Sequence, residues 1–536
     1  MSNIKFIYTD EERKKDMIKF RINFSLSLRK QKISEYITKH RMIQTNKKNQ
    51  IKNNKYSIID INNKRKTYSK ESLESFNNYL KLLLNTSNIN DLYEYLKKIQ
   101  DILKEIPEMS SKVFYQSIIL LNALKYLIDL IDYSNSPLRN IIFSILSSMS
   151  YESDFTELLY LNKVSDKIIQ IINNNDSLIE ENEFKDMIYL ITNISLDNLK
   201  FSRAILKNNY FNILLNYIPN IINNKNLLGI CIWSFSSFIE KNSHNSKIAK
   251  LITKEQLIEI YNLAINCIIS TPKENYSNYT HGGNSFYFSI NIIGEITSKM
   301  SSDKKCNEVI NCPNNIHNLN QIFSVLLFLF GCSKNIHLKN VCLKIINNFI
   351  FIDEDENFQK YLIDNSFINI LDNLLNENKS NSIINMVCCI IINLSCSFTD
   401  FIFKNENLIL NIINLIKYNR DIIIKKNAFI CILGLCQKKN IEQIKFLLNN
   451  GLIDIIVDLI NLCQNDLEFI IQCLKCIIRI IETFQNLFDY FIEINNEFNK
   501  KGIVEFLEKL IFIENMNDEI IEMSEFILEK IKNQNK

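Results

Sequence analysis

Two apolar patterns alternate along most of the chain, and each recurs. The first is an amphipathic run, usually led by a polar or small residue: YFNILLNYI at 210–218, SFINILDNLL at 366–375, LILNIINLI at 408–416, GLIDIIVDLI at 451–460 and GIVEFLEKLI at 502–511. Ile, Leu or Phe returns at three- and four-residue spacing in each, which predicts a helix with one apolar stripe. A helix cannot bury such a stripe alone, so a second helix must cover it. The second pattern supplies that partner: FSILSSMS at 143–150, YLITNIS at 189–195, WSFSSFI at 233–239, IIGEITS at 292–298, LKIINNF at 343–349, CIIINLS at 389–395 and ICILGLC at 430–436.

The second pattern carries a marker at Ser147, Asn193, Ser237, Glu295, Asn347, Asn393 and Gly434, at intervals of 46, 44, 58, 52, 46 and 41 residues. That period is the one of helical HEAT or armadillo repeats, which bury a continuous core by stacking. Extended outward from the markers, residues 75–533 hold about ten repeats of an all-α solenoid, followed by a short tail at 534–536. The long interval before Glu295 contains TPKENYSNYTHGGNS (271–285), which reads as an inserted loop. Thr253 and Gln256 have capping-box spacing ahead of LIEIYNLAI. The Asn-rich stretches at 173–175, 222–224 and 376–382 fall between apolar runs and fit loops.

Composition narrows the class further. With 8 Gly and 5 Pro in 536 residues, there is little material for the turns of a many-stranded β fold or for glycine loops around phosphates. At 46% hydrophobic and 11% aromatic residues the chain can bury enough surface to order most of its length. No GxSxG, Walker, HExxH or GxGxxG pattern occurs, so the expectation is a protein without catalytic chemistry, cofactor or metal. The 14 Cys lie mostly in apolar runs and read as core residues of a reducing compartment. Cys473 and Cys476 form a CxxC, but no second pair stands at zinc spacing. The five His are isolated. No secretory core and no apolar span of membrane length is present, which predicts a soluble intracellular protein without membrane insertion.

Charge divides the chain. Residues 1–70 carry 19 Lys and Arg against 6 Asp and Glu, a balance of +13, so the net +3 leaves −10 for the remainder. A basic leader before an acidic body points to an electrostatic arm, whose acidic partner is another protein, nucleic acid or the chain's own body. Written as a helix, residues 13–43 would extend about 45 Å. Ile22, Phe24, Leu26, Leu28, Ile33 and Ile37 would then be available to fold against a partner.

These features together resemble the importin-α family of nuclear import adaptors over nearly the whole chain. LRKQKISEYITKHRMI at 28–43 looks like the family's importin-β-binding segment, with Leu28, Arg29, Lys30, Lys32, Glu35, Lys39, Arg41 and Ile43 at its spacing and Arg13 and Arg21 before it. The markers resemble the Trp-x-x-x-Asn positions of successive armadillo repeats, and residues 503–531 resemble the last repeat. The resemblance implies a right-handed solenoid (75–533) behind a basic helix (1–46) and a basic linker (47–74). It implies that importin-β binds the helix, through Arg13, Arg21, Leu28, Arg29, Lys30, Lys32, Lys39 and Arg41. The remaining implied partners are cargo proteins with basic localisation signals and the adaptor's nuclear export receptor. Shuttling between cytoplasm and nucleus follows, without direct nucleic-acid binding.

For the cargo site the resemblance implies aromatic faces at Phe143, Tyr189 and Trp233 that cover lysine stems, and backbone clamps at Ser147, Asn193 and Ser237, of which Asn193 alone is an amide. It places a lysine-receiving carboxylate at Asp197 with Thr156 in support, and Tyr151 where a Gly is usual. A second, smaller site is eroded: its aromatic positions are Cys389 and Ile430, and its amide positions Asn393 and Gly434. One main cargo site is therefore expected, with little gain from a second basic cluster. Competition between the basic linker and cargo for the acidic body would make importin-β a relief of self-inhibition. A divergent armadillo scaffold for other extended peptides, and a HEAT-like regulatory subunit, share the fold without that mechanism.

Overall fold

The computed structural model describes residues 70–532, apart from 106–107, 134–135, 175–178, 243–250, 273–284, 299–303, 311–312, 334, 353–356, 378–379 and 514–515. The importin-β-binding-like helix and nearly all of the linker lie outside the described residues, as does most of the stretch at 271–285. Among the described residues the regular structure is entirely helical.

Ten helices form one continuous row, numbered here along the chain: α1 Ile89–Glu105, α2 Ser136–Met149, α3 Glu181–Asp197, α4 Lys225–Asn242, α5 Ser285–Thr297, α6 Ile336–Ile352, α7 Asn381–Leu394, α8 Ile422–Leu435, α9 Leu467–Phe484 and α10 Asp518–Lys532. Each packs on the next, from α1 through α10. A second helix lies immediately before each of them in sequence and packs against it, as Tyr210–Ile221 does on α4 and Phe367–Glu377 on α7. These are the two helices that the alternating apolar patterns announce. A third, preceding the pair in most repeats, was not legible in the sequence because several copies span only five to nine residues, such as Leu199–Lys207 and Thr399–Phe403. Three helices per repeat at this period is the armadillo arrangement, and the protein is an all-α solenoid of that kind.

The polar or small residue before the second helix has a physical reason. At Asn122, Lys163, Asn209, Ser366, Gly451 and Gly502 the backbone is left-handed, with φ between 57° and 88°, and it turns the chain sharply from the third helix type into the second. Glycine takes that conformation without a Cβ penalty, and Asn tolerates it better than most residues. The asparagines elsewhere also have structural work. Asn198, Asn405 and Asn440 cap helices by accepting from the backbone N–H groups of Lys200, Leu408 and Gln443 at 2.9, 3.0 and 3.3 Å.

The capping box is formed. Thr253 Oγ1 accepts from the Gln256 amide at 3.2 Å, and Gln256 Oε1 accepts from the Thr253 amide at 2.9 Å. Thr253→Ala is expected to destabilise this helix by about 1 kcal/mol, seen as faster amide exchange confined to residues 254–258.

Packing inside the repeats is dense and mostly aliphatic, with rings joining neighbours: Phe211 meets Phe235 at 5.0 Å between centroids and Tyr210 meets Phe238 at 5.5 Å. Cysteines fill the same core. Cys231, Cys388, Cys431, Cys436, Cys473 and Cys476 are fully buried. Desolvation raises the thiol pKa of Cys231 and Cys473, so both remain neutral packing groups at physiological pH. The CxxC therefore lies inside α9 rather than at a surface. Among the described residues no single helix is long and apolar enough to cross a membrane.

Candidate functional site

Helix α3 organises the candidate site. Its hidden sides carry Phe184, Met187, Ile188, Leu190, Ile191 and Ile194, all buried. Along the remaining side Asp186, Tyr189 and Asn193 are half-buried and Asp197 is exposed. At 3.6 residues per turn the offsets of three, seven and eleven residues return to nearly the same direction, so these four side chains make one stripe down the helix.

Tyr189 and Trp233, on adjacent helices α3 and α4, form an edge-to-face pair with centroids 5.1 Å apart and planes at 63°. Trp233 is half-buried, so both rings keep accessible surface. Such faces attract cations and cover methylene stems. The chain's own Lys185 Nζ lies 5.9 Å from the Tyr189 centroid. Desolvation, with the neighbouring Asp186 charge, raises the Tyr189 phenol pKa, so the ring stays neutral.

Phe143 departs from the expectation that three aromatic faces line the site. It is fully buried in α2 among Ile142, Ile145 and Leu146, and offers no ring to a ligand. The two Ser markers are also withdrawn, Ser147 with 3% and Ser237 with 9% exposure. Asn193 remains half-exposed, but one of its amide hydrogens is committed: Nδ2 donates to Ser150 Oγ at 3.0 Å, and Ser150 Oγ donates to the Ser147 carbonyl at 2.6 Å. Its other N–H and its Oδ1 are left for an extended peptide.

At the end of α3 the Thr156 hydroxyl donates to Asp197 Oδ2. The two residues that the resemblance placed in one pocket are thus in contact. Thr156 is buried, so it fixes the carboxylate without competing for solvent. Asp197 is the last residue of α3, and the final turn holds no basic side chain. A carboxylate beside the free carbonyls of a helix C-terminus gives a local negative potential suited to an ammonium group. Tyr151, in the position of the usual Gly, is 68% exposed and is not packed into the pocket floor.

The second, eroded site is closed. Cys389 and Ile430 are buried, and Asn393 Nδ2 donates to Asn347 Oδ1 at 2.8 Å, joining α7 to α6. Gly434 is there for close approach, since a Cβ on it would stand 2.5 Å from Ser395 Oγ. An Asn at that position would collide with α7, so the missing clamp follows from packing. The candidate residues of the N-terminal segment, Arg13, Arg21, Leu28, Arg29, Lys30, Lys32, Lys39 and Arg41, lie outside the described residues.

Two acids near the aromatic pair were not singled out by sequence patterns. Asp186 precedes Tyr189 by one turn, and burial pushes its carboxyl up to about 6, against the opposing pull of Lys185 and Lys104. On α4, the Glu240 carboxyl is held above the usual range by desolvation and by Glu295, with Lys344 acting the other way. Lys344 Nζ pairs with Glu295 Oε1 at 2.9 Å.

No protein-family model and no curated protein sequence matches the chain. Its likeness is to solved structures. An engineered protein superposes with a TM-score of 0.59 at 13% identity, over 85% of this chain and 99% of its own. A designed armadillo repeat protein, solved with the peptide (KR)4, reaches a TM-score of 0.37 at 16% identity, over 50% of this chain and 98% of its own. At these identities the likeness concerns the fold.

Proposed function

We propose that this solenoid is a divergent nuclear import adaptor of the importin-α type. It holds the basic localisation signal of a cargo protein against α3 and α4 and binds importin-β through residues 1–46. It catalyses no reaction, needs no cofactor, and shuttles between cytoplasm and nucleus. One observation carries the reading: the stripe of Tyr189, Asn193 and Asp197, with Trp233 beside it and Thr156 beneath Asp197. Aromatic faces, an amide and a helix-end carboxylate in that order match a lysine stem, a peptide unit and an ammonium group.

The test is a pull-down comparing the intact chain with one lacking residues 1–45, probed with importin-β and with a fluorescent lysine-rich peptide. Importin-β should bind the intact chain alone, and the peptide should bind both. Retention of importin-β by the shortened chain would refute the role of the basic segment.

A second reading rests on the burial of Phe143 and on the Asn393–Asn347 bond that closes the smaller site. It is an armadillo scaffold that takes another kind of extended peptide and has no import role. It requires peptide binding without importin-β capture, which the same pull-down reports.

A further inference from the structure

Partly or fully buried carboxylates of this row are generally met by a cation from a neighbouring repeat. Glu183 on α3 meets Arg139 on α2, Glu295 on α5 meets Lys344 on α6, and Glu482 on α9 meets Lys439 from the preceding repeat at 3.0 Å. Asp186 breaks that habit. It is half-buried, yet among the described residues it has neither a hydrogen bond nor an ion pair. The charged groups acting on it are Lys185 of its own helix and Lys104 of α1, both at longer range, while Arg139 on the adjoining α2 is held by Glu183.

Its place on the helix supplies a reason. Asp186 and Asp197 are eleven residues apart, about three turns and about 16 Å along α3, and they point the same way. They stand at opposite ends of the stripe whose middle holds Tyr189 and Asn193. A peptide extended across the row at Asn193 sends successive side chains to opposite sides. One set then runs toward Asp197 and the other toward Asp186. Glu240, which lies one turn beyond Ser237 on α4, faces a similar end of the next helix.

We propose that Asp186 is a second cation receptor of this surface, so that the site selects extended peptides with basic side chains on both edges, as in a run of consecutive lysines. The inference rests on the peptide-binding reading above and adds the charge pattern of the ligand to it. An unpartnered, partly desolvated carboxylate weakens the fold, and its retention makes sense where a ligand's cation completes it. The ordinary carboxyl value for Asp is 3.8 and this one is raised to about 6. The acid is therefore charged above about pH 6 and neutral below it. A cationic ligand favours the charged form, so affinity falls as pH drops through that range. Stability has the opposite sign: the folded chain holds the proton more tightly than the unfolded chain, so this group stabilises the fold as pH falls.

The experiment measures binding of a labelled peptide with four consecutive lysines, and of one alternating lysine with serine, to the full chain and to Asp186→Asn between pH 5 and 8. The parent should prefer consecutive lysines and lose affinity on acidification, about tenfold for each pKa unit that the bound cation restores. Asp186→Asn should lose the preference and flatten the profile, with a melting temperature at pH 7.5 no lower than the parent's. Equal affinity, preference and pH profile in parent and variant would overturn the proposal and leave the peptide-binding reading standing. A lower melting temperature in the variant would show that the carboxylate is a structural group and overturn it as well. Failure of the parent to bind either peptide at any pH would remove both readings.

Discussion

Arg139→Leu should weaken the α2–α3 junction by about 3–5 kcal/mol, among the largest effects expected of a single substitution in this chain. Glu183 is completely buried, and its two carboxylate oxygens are met by Arg139 Nε at 2.7 Å and by Ser136 Oγ at 2.7 Å. Removing the guanidinium leaves a buried negative charge with one neutral hydrogen bond. The penalty is that of the uncompensated charge, not the worth of the pair. Joint replacement by Arg139→Leu and Glu183→Leu should therefore recover most of the loss. Because a solenoid's stability is a sum of repeat and junction terms, the damage should remain local. Hydrogen exchange is the suitable measurement: protection should fall in residues 136–197 and stay near the parent's level in α8 to α10. Uniform loss along the chain would show a cooperativity that the nearest-neighbour contacts do not provide.

That ion pair was not visible in the sequence, and the reason is general for this fold. A marker every forty-odd residues identifies equivalent positions, so the repeats, their register and the capping box at Thr253 could be read directly. What the period does not reveal is which neighbours close over a given position. The row helices are flanked by other helices on several sides, and α8 illustrates the result: Asn427 through Leu435 are buried without interruption. Such a helix has no single apolar stripe to separate inside from outside. Phe143 and Tyr189 occupy the same marker-relative position, yet Phe143 has no accessible surface and Tyr189 does. The contact of Thr156 with Asp197 came from the family resemblance, not from any local pattern, since 41 residues separate them. Asp186 carried no signal at all, because an unpaired acid is defined by cations that fail to reach it.

Trp233→Ala and Asp197→Asn should give the largest losses of peptide affinity, and together they separate the two halves of the site. Trp233 contributes a ring face beside Tyr189, and a partly desolvated cation–π contact of about 0.5–2 kcal/mol corresponds to about a 2- to 30-fold loss. Asp197 offers a charge fixed by Thr156 at the end of α3, and a charge-assisted bond of about 1.5–3 kcal/mol corresponds to about a 10- to 150-fold loss. Asn keeps the size of the side chain and an oxygen for the Thr156 hydroxyl, so the loss reports charge and not a vacated pocket. The stem and the head of one lysine would couple the two substitutions, whereas two different lysines would make their effects add. A double-mutant cycle with a lysine-rich peptide decides between these arrangements. Additivity within about 0.5 kcal/mol would mean that the ring pair and the carboxylate grip separate residues of the ligand. If neither substitution changes affinity while the peptide still binds, the ligand lies elsewhere on the solenoid, and the α3 stripe is a solvated face.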